Sequence, residues 1–129
     1  MEKSMELLGS PIRTAAGIVP LSAAVRSGNL IFLSGQLALR DGALQGSDIA
    51  AQTGVVFDNI EVVLADAGSS LSQVVKATIW LRQASDFGEF NQLYATRFGD
   101  HRPARSAVVS ELLIEGALVE IEVVAETAA

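Results

Sequence analysis

The chain switches between two hydrophobic periods, and the switches divide it into elements. Residues 21–25 and 30–34 are short apolar runs on either side of Ser27-Gly28-Asn29. Gly and Asn tolerate turn conformations, so the two runs read as a hairpin. From Ile49 the period lengthens. Ile49, Val56, Ile60, Val63, Leu64 and Ala67 share one face of a helix over 49–67. Ser47 or Asp48 caps it and Gly68 stops it. Val75, Ala77, Ile79 and Leu81 then alternate with Lys76, Thr78 and Trp80, the period-two mark of a strand. Asp86 with Glu89 has the form of a capping box opening a second helix over 87–98. Phe87, Phe90, Tyr94 and Phe98 line one stripe of it, which reads as core against a sheet. Two strands close the chain. In the last, Ala117, Val119, Ile121, Val123 and Ala125 face one way and Leu118, Glu120, Glu122, Val124 and Glu126 the other.

The order is ββαβαββ. Strands and helices mix without strict alternation, so the class is α+β, a mixed β-sheet with two helices packed on one face. The length, 129 residues, suits a single domain over 1–129. Gly9 and Pro11 interrupt the start, and 1–15 reads as an extended N-terminal arm. Half of the residues are hydrophobic and the mean hydropathy is +0.38. The second sheet face, with Arg105, Glu120, Glu122, Trp80 and Thr78 among apolar residues, is too apolar for water and too polar for a core. Another copy of the chain is the simplest cover.

There is no cysteine, which excludes disulfides, thiolate metal sites and thiol chemistry. A reducing cytoplasm is the simplest location. The net charge is −6 and the nine Lys and Arg are scattered, so no nucleic-acid partner is expected. No apolar run is long enough for a membrane span. The apolar stretch over 15–25 is broken by Pro20 and follows Glu2 and Glu6, unlike a secretory signal.

Motifs for dinucleotides, P-loops, zinc proteases and EF-hands are missing. His101 is the only histidine, in a loop, with no second histidine to share a metal. The unusual charges are Arg105 in PARSAVV and Glu120 with Glu122 in VEIEVVA. If those two strands are neighbours, a cation and two carboxylates share one apolar surface. One reading is a structural ion pair between Arg105 and a glutamate of the adjacent strand. The other is a site in which Arg105 holds a substrate carboxylate and a glutamate handles a proton or a water. Glu120 and Glu122 are about 6.7 Å apart on one face, close enough for the charge of one to act on the other.

PARSAVV, followed by a Glu fifteen residues after its Arg, resembles the signature of the RidA (YjgF) family. SAAVRSGNLIFLSGQLAL resembles the family's N-terminal hairpin and FGEFNQLYATRF its second helix. The likeness runs from about residue 10 to 126. It implies a chorismate-mutase-like fold, a homotrimer, a site in each cleft between subunits, and no cofactor. It also implies hydrolysis of reactive 2-enamine/2-imine acids, of the 2-aminoacrylate type, to 2-keto acids and ammonia. By position, Arg105 pairs with the substrate carboxylate, and Glu120 orients or activates water. Asn91, Ser34, Ala107 and Leu21 line the pocket. Two positions depart from the family. Leu21 stands where active members commonly have a tyrosine, and Ala107 where a cysteine is frequent. Both make the pocket less polar. Three alternatives follow: a non-catalytic trimer that binds small carboxylates or regulates a partner, a deaminase of a larger enamine such as 2-aminomuconate, and a ribonuclease, which the acidic charge opposes.

Overall fold

In the computed structural model, which describes residues 5–14 and 17–128, six strands form the main sheet. They are β1 (Met5–Leu8), β2 (Ala24–Ser27), β3 (Leu30–Leu33), β4 (Val74–Leu81), β5 (Ala104–Val109) and β6 (Val119–Glu126). Two helices, α1 (Ile49–Asp66) and α2 (Phe87–Phe98), cover one face. The spatial order is β1-β2-β3-β6-β4-β5. All neighbours are antiparallel except β4 and β5, which run parallel with α2 as their crossover. Two short ribbons, Arg13–Thr14 with Gly17–Ile18 and Leu39–Arg40 with Ala43–Leu44, lie outside the sheet. The α+β class and the placement of both helices agree with the sequence reading.

Local chemistry explains most boundaries. The Asp48 carboxylate accepts from Ala51 N at 2.8 Å and caps α1. Gly68, at φ +80, ends it, and Ser69 N returns to the Leu64 carbonyl. The capping box expected at α2 does not form. Asp86 has helical dihedrals and makes no side-chain cap, because a 3₁₀ turn over Ala84–Asp86 runs straight into the helix.

The core lies between the sheet and the helices. Phe57 and Ile60 of α1 and Phe90 of α2 are fully buried against Ile31, Ile79 and Ile121. Each such side chain contributes about 1.5–3 kcal/mol through burial. Arg97 joins the helices by bonding the Gly54 carbonyl, Asp58 and Glu61, with its guanidinium 5.2 Å from the Phe57 ring centroid.

Three further expectations change. Part of the expected arm is β1, which pairs with β2 through Leu7↔Val25, and Arg26 bonds Glu6 across that pair; residues 1–4 and 15 lie outside the described residues. In β4, Val74 is buried and Val75 exposed, because the β4–β6 register shifts at Val124/Ala125 and moves the inward phase by one residue. Most consequentially, β5 and β6 are not neighbours, since β4 lies between them.

Candidate functional site

The β4–β5 and β4–β6 registers decide which way each charge points. Arg105 is level with Ala77, which is buried on the helix side. Glu120 is level with Trp80 and Glu122 with Thr78, on the opposite side. Side chains level with one another across a ladder share a face. The shared surface expected for Arg105 and the glutamates therefore does not exist within one chain. The structural ion pair is excluded with it, for among the described residues Arg105 makes no salt bridge.

Arg105 is instead seated on α2. Its Nη1 donates to Asn91 Oδ1 at 2.8 Å, and its guanidinium lies 4.8 Å from the Tyr94 ring centroid and 5.6 Å from that of Phe87. Phe87, Asn91 and Tyr94 fall four and three residues apart on one helix face, so α2 presents all three to the edge strand. The neutral amide and the rings fix the guanidinium without neutralising it. Arg105 is exposed, so its remaining donors are free for an anion. Tyr94 is buried, and its hydroxyl has no partner among the described residues. Burial raises the Tyr94 pKa, against the opposing pull of Arg105. Ala107 follows on the same face of β5 and partly buries against the core.

The second group gathers on the other side. Gln36 and Ile121 exchange backbone hydrogen bonds of 2.7 and 3.0 Å, which lays the segment after β3 across β6 beside Glu120. Gly35 lies so close to Glu120 that a Cβ there would overlap Oε2. Ser34 Oγ donates to the Ser22 carbonyl at 2.6 Å. Leu21, Ser34, Gln36, Glu120 and Glu122 line one side of an open cleft of about 1010 Å³. Glu120 is half-buried, and its pKa is raised first by that burial and then by the negative charge of Glu122.

Both sets of sequence-derived site residues thus cluster, Arg105, Asn91 and Ala107 on the helix side and Leu21, Ser34 and Glu120 on the open side. Residue reasoning assigned Phe87 to the core and passed over its contact with Arg105; its spacing to Asn91 and Tyr94 was the available signal. His101 is a loop tie, its Nε2 bonding the Val74 carbonyl at 2.6 Å. Among the described residues no cluster of His, Asp and Glu could hold a metal ion, and no helix is long and apolar enough to cross a membrane.

The fold and these two groups of residues define a class: small α+β chains with an arginine on an edge strand and a carboxylate on the opposite sheet face. A family model described as Endoribonuclease L-PSP matches residues 12–127, and the chain belongs to that family, the RidA (YjgF) family. A RutC family protein of Pyrococcus horikoshii is 40% identical over 110 residues, 84% of this chain and 87% of that protein. Protein HMF1 of Saccharomyces cerevisiae is 41% identical over 111 residues, 85% of this chain and 86% of that protein. Among solved structures, RidA from the Antarctic bacterium Psychrobacter matches with TM-score 0.83 and 32% identity, covering 94% of this chain and 98% of that one. A putative endoribonuclease L-PSP from Entamoeba histolytica matches with TM-score 0.85 and 37% identity, covering 95% and 98%.

Proposed function

We propose that the chain is a hydrolytic deaminase of reactive 2-enamine/2-imine acids, working as a homotrimer with its site between subunits. The observation that carries this reading is the split of the charges. Arg105 has an open donor fork and, among the described residues, no carboxylate partner, while Glu120 sits on the opposite face beside an open cleft. A neighbouring copy that sets its Glu120 face against the Arg105 face of the first completes the constellation. The exposed Phe32, level with Val124 on the same open sheet face as Glu120, supports such a cover.

In the reaction, Arg105 clamps the substrate carboxylate in the bidentate manner suited to guanidinium. An enamine first takes a proton at carbon to become the imine. Glu120, as carboxylate, accepts a proton from water while the water oxygen bonds to the imine carbon. The nitrogen is protonated, the C–N bond breaks, ammonia leaves with the electron pair, and the hydroxyl gives up its proton to form the keto group. A positioned water and carboxylate suffice, so no metal or organic cofactor enters. The partner is a small carboxylate, and the corresponding location is cytoplasmic, although one relative, Protein mmf2 of Schizosaccharomyces pombe, is described as mitochondrial.

The experiment generates imines from amino acids with an amino-acid oxidase and follows their decay. Wild type accelerates decay, and Arg105→Ala and Glu120→Gln do not; equal decay with and without protein defeats the proposal. The second reading is a carboxylate-binding trimer without turnover, favoured by apolar Leu21 and Ala107. It predicts ligand-induced rises in Tm in the absence of any imine decay. Turnover confined to conjugated substrates such as 2-aminomuconate would redirect the substrate class. The ribonuclease named in the family description finds no support in a net charge of −6.

A further inference from the structure

Beside Arg105 lies a small apolar cavity of about 170 Å³, walled by Leu81, Ala84, Phe87, Ala107, Val108 and Val109. None of these side chains carries a polar atom. Phe87 belongs to both features, forming a wall of the cavity and carrying the Arg105 guanidinium over its ring. Ala107 is one strand repeat from Arg105, about 6.7 Å along the same face of β5. An unneutralised cation thus stands at the edge of an apolar hollow.

We infer that this cavity receives the substrate's side chain while Arg105 holds its carboxylate. The chain is then selective for 2-imino acids with branched aliphatic or thioether side chains over those bearing only a methyl or methylene group. This inference rests on the deaminase reading above and adds the side-chain class. Three observations carry it. The cavity's size, at about 30 Å³ per water-sized group, admits roughly five such groups, which is a leucine or methionine side chain rather than a methyl. Phe87 ties the two features together, since the guanidinium lies 5.6 Å from the centroid of a ring that also walls the hollow. The side chains of the walls offer no donor or acceptor, so a hydroxyl, amide or second carboxylate would find few partners there for its desolvation. Ala84 and Ala107 keep the hollow open because of their size.

The test uses the purified full chain. Imines are generated from leucine, methionine and alanine, and kcat/KM is compared in wild type and Ala84→Leu. Ala84 is exposed in a 3₁₀ turn, so leucine fills the hollow without entering the core. Wild type should prefer the leucine- and methionine-derived imines about tenfold or more, and Ala84→Leu should erase most of that preference. Calorimetry with the keto acids of leucine and alanine gives the same comparison without turnover, and the leucine keto acid should lose affinity in Ala84→Leu. An unchanged preference with active enzyme overturns the cavity assignment and leaves the deaminase reading standing. A changed oligomeric mass with unchanged preference means that a second copy fills the hollow, and also overturns it. No decay of any imine, together with no binding of either keto acid, removes both proposals.

Discussion

Arg105 and Glu120 lie on opposite faces of one sheet, with β4 between their strands. A single chain therefore cannot bring them to one small ligand, while a ring of chains can. This yields a complementation test. Arg105→Ala and Glu120→Gln should each lower activity about 100-fold or more when assembled alone. When the two are unfolded together and reassembled in equal amounts, about one quarter of the sites take Arg105 from one chain and Glu120 from its neighbour. Activity should recover to roughly that fraction of wild type. Mixtures as inactive as the separate variants would place the two residues in unrelated sites.

Gly35 controls where the Glu120 carboxylate sits, because its bare Cα leaves the space that Oε2 occupies. Gly35→Ala pushes the carboxylate aside while leaving the backbone pairing of Gln36 with Ile121 intact. A displacement of about 1 Å in a catalytic group costs on the order of 100-fold in rate. The expected result is a loss of that size in kcat/KM with a Tm within a few degrees of wild type. Retained activity would mean that Glu120 does not act from this position.

The elements with local signals were legible in the sequence. Asp48 and Gly68 bound α1 as their chemistry requires, and the alternation along 117–125 gave the inward face of β6. The sheet order was not legible. Nothing in the local pattern of residues 104–109 says that their strand runs parallel to β4 rather than beside β6, because strand pairing is a long-range choice. That one difference moved Arg105 to the other face. The short apolar run of β1 was missed because it is only four residues long and flanked by Gly9 and Pro11. The motif named the candidate residues, and only the register revealed that they lie in two groups on opposite faces of the sheet.

The raised pKa of Glu120 gives the proposed reaction a pH signature. In that reaction Glu120 works as a carboxylate, so activity should fall as pH drops through its pKa, and that limb should lie above the ordinary glutamate range. Glu122→Gln removes the second cause, the neighbouring negative charge, and should move the limb to lower pH. It should not return to the ordinary range, since burial, the larger cause, remains. The same shift acts on stability. The folded chain holds this proton more tightly than the unfolded chain, so stability declines as pH rises from the ordinary glutamate value through the raised one. In Glu120→Gln that decline should disappear. A limb unmoved by Glu122→Gln would show that another group governs the profile.

Gln52 is a fully buried amide inside α1. Its Nε2 donates to the Gly46 carbonyl at 3.2 Å and the Gly116 carbonyl at 2.9 Å, and its Oε1 accepts from Leu118 N at 2.8 Å. One side chain therefore joins the loop before α1 to the entry of β6, two residues from Glu120. Leucine is apolar, one heavy atom smaller, and supplies none of these bonds. Gln52→Leu leaves buried backbone groups unpaired, each at about 1–3 kcal/mol, and the combined loss should be about 3 kcal/mol after partial relaxation. Urea unfolding should show a lower midpoint at unchanged slope. The entry of β6 should loosen as well, lowering kcat more than the affinity for a keto acid held by Arg105. A midpoint within about 0.5 kcal/mol of wild type would mean that the three bonds are replaced by water, and that the entry of β6 is held by its ladder with β4 alone.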